Sequence, residues 1–144
     1  MSIGRICSRT PVTARPGETV REAARRMYRE RVGTLVVMDP GGAALPIGFV
    51  TDRDIVTRCV AAGLDPESES VASIMTVPVT TIHEDASVED AVTLMSEVTI
   101  RRLVVTDDNN RLVGVLALDD VLECLANEAN AIGRLIPRHP PALL

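Results

Sequence analysis

The sequence predicts a mixed α/β (α+β) fold made of two copies of a β-α-β-β-α unit. Three observations carry this prediction: the chain repeats itself, apolar residues within each copy switch between helical and strand-like spacing, and turn-forming residues separate the segments. Pro11-Val12-Thr13 matches Pro78-Val79-Thr80. Val20, Ala23 and Met27 match Val88, Ala91 and Met95 after a one-residue insertion. "TLVVMD" (34–39) then aligns with "RLVVTD" (102–107), and "IGFVTDRDIV" (47–56) with "VGVLALDDVL" (113–122). The copies span 6–63 and 74–130, a linker fills 64–73, and 131–144 forms a helix extension and tail.

The elements follow in order. An extended piece opens each copy, since proline disfavours helix before it and β-branched residues follow. In copy one, Val20, Ala23, Ala24, Met27 and Tyr28 then lie on one apolar helical stripe. Two short apolar strands come next, joined by "DPGGAALP" in one copy and "DDNNR" in the other, both rich in turn formers. A helix closes each copy, with Ile55, Val56, Cys59 and Val60 in the first and Val121, Leu122, Leu125, Ala126 and Ala129 in the second. The segment 63–73, "GLDPESESVAS", is polar and reads as a connector. The last helix runs on through Ile132 and Leu135 until Pro137 stops it. The helical segments 18–31, 52–62 and 119–135 offer more apolar surface than two small sheets can cover, so a homodimer is expected.

Composition excludes several functions. The 144 residues hold 46% hydrophobic side chains, enough for a core, yet Tyr28 and Phe49 are the only aromatics. Any planar ligand must therefore be gripped by aliphatic surface. The net charge of -5 argues against a broad nucleic-acid footprint. All 15 basic residues are arginine, which removes a P-loop lysine, a Schiff-base lysine and a lysine base together. Cys7, Cys59 and Cys124 are far apart, as in a reduced cytosolic protein, and Cys59 and Cys124, on apolar helix faces, are expected to be buried. His83 and His139 lack zinc-ligand spacing, so no metal site is expected. No segment has the length of a membrane span or a secretion signal, and the expected location is the cytoplasm, away from membranes.

The stretch "TDRD" admits two readings. As a helix start, Thr51 is an N-cap and Asp54 at the third position reaches back, a variant capping box. As a ligand site, the Asp54 carboxylate accepts ribose hydroxyls, Thr51 and nearby amides meet phosphate oxygens, and Arg53 adds a charged donor. The repeat tests these readings internally. In copy two Ala117 replaces the threonine while Asp120 persists; an acid that stays after its capping partner has gone favours a task of its own, and its favourable place at the helix dipole's N-terminal end stands as the other reading.

The unit "PVTARPGETVREAARRM…VGTLVVMD…IGFVTDRDIV" resembles a cystathionine β-synthase (CBS) domain, and "PVTTIHEDASVEDAVTLM…IRRLVVTDDNNRLVGVLALDDVL" resembles another. Together they resemble a Bateman module over about residues 6–130. The resemblance implies a pseudo-twofold pair of motifs with two ligand clefts, which in that family commonly hold AMP, ADP, ATP or S-adenosylmethionine as a regulatory ligand rather than a required cofactor. It implies that Asp54 holds ribose, that Thr51 and Arg53 face ribose and phosphate, and that Val12, Thr13 and Ala14 line an adenine pocket. In copy two it implies matching roles for Asp120, Thr80 and Thr81, with Arg101 and Arg102 placed for phosphate. Ala117 departs from the Thr or Ser pattern, so the first cleft is the expected binder. Thr13, Thr80 and Thr81 are also ordinary strand formers, and Arg101 and Arg102 also suit a solvated surface. The expected function is a non-catalytic adenosine-ligand sensor acting on an effector protein. The alternative is an interaction scaffold with vestigial clefts.

Overall fold

A computed structural model of the chain describes residues 1–136. Copy one runs β1 (Thr13–Ala14), α1 (Val20–Glu30), β2 (Thr34–Met38), β3 (Pro46–Thr51) and α2 (Asp52–Asp54), which continues as a π-helix over Ile55–Val60. A short helix α3 (Val71–Ile74) precedes copy two: β4 (Thr81–His83), α4 (Val88–Glu97), β5 (Arg102–Thr106), β6 (Leu112–Ala117) and α5 (Leu118–Gly133). Each copy forms a three-stranded sheet of order β1-β2-β3 or β4-β5-β6, with the first pair parallel and the second antiparallel. The chain thus has the two β-α-β-β-α units that its sequence predicts.

Local chemistry explains where the helices begin. The Thr19 hydroxyl accepts the Glu22 amide at 3.1 Å while the Glu22 carboxylate accepts the Thr19 amide at 3.0 Å. Ser87 and Asp90 repeat this reciprocal cap at α4. The apolar stripe of α1 buries Val20, Ala23 and Met27, but Tyr28, expected on that stripe, is 88% exposed. Its position falls off the narrow arc that a three-stranded sheet can cover.

The register corrects the sequence alignment of the repeat. Thr13 pairs with Val36 and Thr81 with Val104, while the carbonyls of Val12 and Thr80 accept the amides of Val36 and Val104. Val12 is therefore equivalent to Thr80 and Thr13 to Thr81, so no insertion is needed. The shared "PVT" strings are a one-residue slip, produced by prolines standing at different distances from their strands.

With that register, the start of each copy proves to be exchanged. The 3-10 turn at Ile3–Arg5 buries Ile3 and Cys7 in the core of copy two, against Leu103, Val105, Leu116 and Val121. Conversely, α3 buries Val71 and Ile74 in the core of copy one, against Leu35, Val37 and Val50. Antiparallel bridges repeat the exchange in symmetric pairs: Ser8 with Val115 and Thr76 with Phe49, Ser2 with Ser87 and Ser70 with Thr19. These pairings express the pseudo-twofold relation between the copies. The segment read as a linker over 64–73 accordingly serves that role only up to the strand-like residues before α3, because Val71 is fully buried.

Three further expectations change. The helix after β3 is π-helical, with Cys59 turned inward and Val56 and Val60 left exposed. The Thr57 hydroxyl donates to the Arg53 carbonyl at 2.8 Å in this stretch, a local bond that competes with regular helical pairing. Cys59 is buried as expected, whereas Cys124 is only partly covered, since α5 turns Val121 to the core and leaves its next turns outside. Helix α5 ends at Gly133, and the expected stop at Pro137 lies outside the described residues.

Candidate functional site

Strand β3 ends at Thr51, directly opposite Thr34 at the start of β2, and the chain turns there into α2. The cap at this turn is complete. The Thr51 hydroxyl accepts the Asp54 amide at 3.1 Å, and Asp54 Oδ2 accepts the Thr51 amide at 2.9 Å. Asp54 is the single buried carboxylate among the described residues, at 9% exposure. Its Oδ2 also meets the Thr76 hydroxyl at 3.5 Å, and its Oδ1 lies 3.7 Å from Arg58 Nε. One oxygen is thus committed to the fold. The other faces a cation that neutralises it and has acceptor capacity left.

The neighbouring groups differ in character. Arg53 is exposed, and its amide donates to Asp52 Oδ1 at 2.8 Å. The Asp52 carboxylate lies over Gly33, where an added Cβ would sit 3.1 Å from Asp52 Oδ2. The Thr34 hydroxyl is buried and has no hydrogen-bond partner among the described residues. Val12, Thr13 and Ala14 line a broad groove of about 1210 Å³ with Arg15, Arg25 and Arg26. Thr51, Arg53 and Asp54 are not among the residues lining it. Arg26 closes one side of this groove: its guanidinium donates to the Thr13 carbonyl at 2.7 Å and pairs with both Glu18 oxygens at 2.7 and 2.9 Å. That bidentate bond raises the Arg26 pKa above its ordinary value.

Copy two keeps half of the cap. Asp120 Oδ2 accepts the Ala117 amide at 2.8 Å although Ala117 has no hydroxyl to answer. The persistence of this acid is therefore explained by capping, and it no longer argues by itself for a ligand role. Arg101, Arg102, Ala117, Leu118 and Asp119 line a small pocket of about 170 Å³. Arg101 lies 4.0 Å from Asp119, with both side chains at least three-quarters exposed. Asp120 lines a different groove, of about 460 Å³, with Met1, Ile6 and Cys124. Thr80 is half-buried, with its carbonyl in the sheet, and Thr81 is an exposed residue of edge strand β4.

The structure thus brings Thr51, Arg53 and Asp54 together at one turn and Arg101, Arg102 and Ala117 at the equivalent turn. Of the residues expected in the first cleft, Val12, Thr13 and Ala14 line the broad groove and Thr51, Arg53 and Asp54 do not; of those expected in the second, Arg101 and Arg102 share one pocket while Asp120 lines another. Sequence reasoning missed Thr76 and Arg58, which hold Asp54, because Thr76 reaches it only through the exchange of segments. It also missed that Gly33 and Thr34 occupy the positions of Arg101 and Arg102, although the aligned strands show it. Among the described residues, no group of three His, Cys, Asp or Glu side chains is placed to hold a metal, and no helix is long and apolar enough to cross a membrane.

Comparison with known proteins agrees with this architecture. The family model described as the CBS domain matches twice, over residues 3–61 and 71–127, and so includes both exchanged segments. The chain is 37% identical over 123 residues to the uncharacterized protein MK0525 of Methanopyrus kandleri, covering 85% of this chain and 62% of that relative. It is also 37% identical over 118 residues to the CBS domain-containing protein YhcV of Bacillus subtilis, covering 81% of each. Among solved structures, the CBS domain pair of protein MJ0100 in complex with 5′-methylthioadenosine and S-adenosyl-L-methionine superposes with a TM-score of 0.78 at 26% identity, covering 89% of this chain and 98% of that one. Two matches to one family model, two sheets of identical topology and exchanged opening segments lead to one conclusion: this chain belongs to the CBS-domain family, as a tandem pair of its motifs.

Proposed function

We propose that this CBS pair is a regulatory module that binds an adenosine-containing ligand at the Thr51–Asp54 turn, works as a homodimer and passes its occupancy to an effector protein. The supporting observation is the buried Asp54, fixed through one oxygen by Thr51 and Thr76 and held beside Arg58; a protein of the same fold was solved in complex with two adenosine compounds. A carboxylate so oriented presents an acceptor to a ribose diol without having to reorganise. The exposed apolar residues Val56, Val60, Leu122 and Leu125 on the outer helices support pairing with a second copy.

The reading is non-catalytic, and AMP, ADP, ATP, S-adenosylmethionine and 5′-methylthioadenosine are the ligands to titrate calorimetrically into ligand-free protein. Binding of at least one of them, weakened more by Asp54→Ala than by Asp120→Ala, is the expected result. Absence of heat with all five ends the proposal. Equal losses in the two variants end the preference for the first turn.

A further inference from the structure

Under the pseudo-twofold, the outer helices of the two copies present opposite charge. Along the exposed ridge of α1 stand Arg21, Arg25 and Arg29. The equivalent positions of α4 are Glu89, Thr93 and Glu97, also exposed. The reversal continues on the closing helices, where Arg53 in copy one is answered by Asp119 in copy two and Thr57 by Glu123. Over residues 20–30 and 52–60, six arginines stand against four acids; over 88–97 and 118–133 there are seven acids and no basic residue.

Local pairing does not use up this charge. Arg21 meets Glu67 at 3.0 Å and Arg29 meets Glu30 at 3.3 Å, both at the surface, where such pairs contribute little. Arg25 has no ion-pair partner among the described residues. Each charged ridge is accompanied by exposed apolar side chains: Tyr28, Val56 and Val60 in copy one, Val92, Leu122 and Leu125 in copy two. An apolar surface edged with arginine and another edged with carboxylate are complementary halves of one interface.

We infer that the homodimer is head-to-tail, with the arginine ridge of α1 in one protomer facing the acidic ridge of α4 in its partner, and the same contact made twice about the dimer axis. The inference rests on the homodimer reading and adds its geometry. A twofold axis that instead set copy two against copy two would face helices that carry seven acids and no basic residue in each protomer. Like charges facing one another are strongly disfavoured, whereas the head-to-tail arrangement satisfies both ridges at once.

Sedimentation of the full chain at tens of micromolar, at low and high salt, tests this. The Arg21→Glu/Arg25→Glu/Arg29→Glu variant and the Glu89→Arg/Glu97→Arg variant should each weaken the dimer about tenfold or more, and their combination should recover it. Circular dichroism on each variant confirms that the fold is kept, and recovery in the combined variant shows it independently. Wild-type dimerisation should weaken as salt rises. A wild-type chain that stays monomeric overturns the homodimer and this geometry together. A dimer indifferent to both reversals, or one that the combination fails to restore, overturns the head-to-tail pairing while leaving the homodimer standing.

Discussion

Thr76 and Phe49 exchange two backbone hydrogen bonds, of 2.8 and 3.2 Å, although 27 positions and two helical segments separate them, and the Thr76 hydroxyl then reaches Asp54. Ser8 and Val115 make the equivalent pair at 2.9 and 3.0 Å. Each motif is thus closed by a piece of chain that belongs, in sequence order, to the other. Two consequences follow for stability: neither half has a complete core alone, and the strand receiving the exchanged segment must lie very close to it.

The second consequence predicts what Gly48 and Gly114 are for. A Cβ on Gly48 would lie 2.9 Å from the Thr76 carbonyl oxygen, with Met75 Sδ and Val77 Cγ1 at 3.1 Å. On Gly114 it would run into the Ser8 carbonyl and come within 3.0 Å of Cys7 Sγ. Gly114→Ala should destabilise the protein by about 1–3 kcal/mol, as overpacking does, and by more than Gly48→Ala, whose neighbours include two movable side chains. Urea unfolding of the two variants measures this. Wild-type stability in Gly114→Ala would mean that the Ser8 crossing is looser than described.

How much of this was legible in the sequence depends on the kind of interaction. The repeat, the strands and the helix caps are local patterns, and Thr19-Glu22 and Ser87-Asp90 announce their helices in four residues each. Asp54 was legible for the same reason. The exchange was not, because Ile3 and Ile74 look alike from either core and only three-dimensional pairing assigns each to the distant one. The "PVT" match misled because two short identical strings outweighed a register that is fixed by hydrogen bonds to Val36 and Val104. Cys124 and Tyr28 were placed inside by helical periodicity, which marks a stripe wider than a three-stranded sheet can cover.

The two turns that carry Asp54 and Asp120 differ by one hydroxyl, and their backbones are nearly the same. Thr51 has φ -108° and ψ 162°, and Ala117 has φ -96° and ψ 154°. A threonine at 117 can therefore adopt the capping conformation without strain. Thr51→Ala should lower stability by about 1 kcal/mol, and Ala117→Thr should raise it by a similar or smaller amount. Denaturant midpoints of the two variants check both signs. A loss in Ala117→Thr would show that the space beside Asp120 is already filled.

The cysteines report whether the exchanged segments make the halves unfold together. Cys7 sits in the core of copy two and Cys59 in the core of copy one, and burial pushes both thiols up from their ordinary pKa. Both are therefore poor nucleophiles at pH 8 until their core opens. Cys124, partly exposed with its sulfur 3.5 Å from Met1 Sδ, does not need that opening. Alkylation followed by mass spectrometry should show Cys124 modified first, before either buried thiol. Ile3 and Cys7 lie under copy two while Val71 and Ile74 lie under copy one, so opening either core pulls a segment out of the other. Cys7 and Cys59 should then label at similar rates, each set by one shared opening equilibrium. A ligand that binds the folded protein should slow both to the same degree. Rapid labelling of Cys59 while Cys7 stays protected would mean that copy one opens on its own, and that the exchanged segments do not couple the halves.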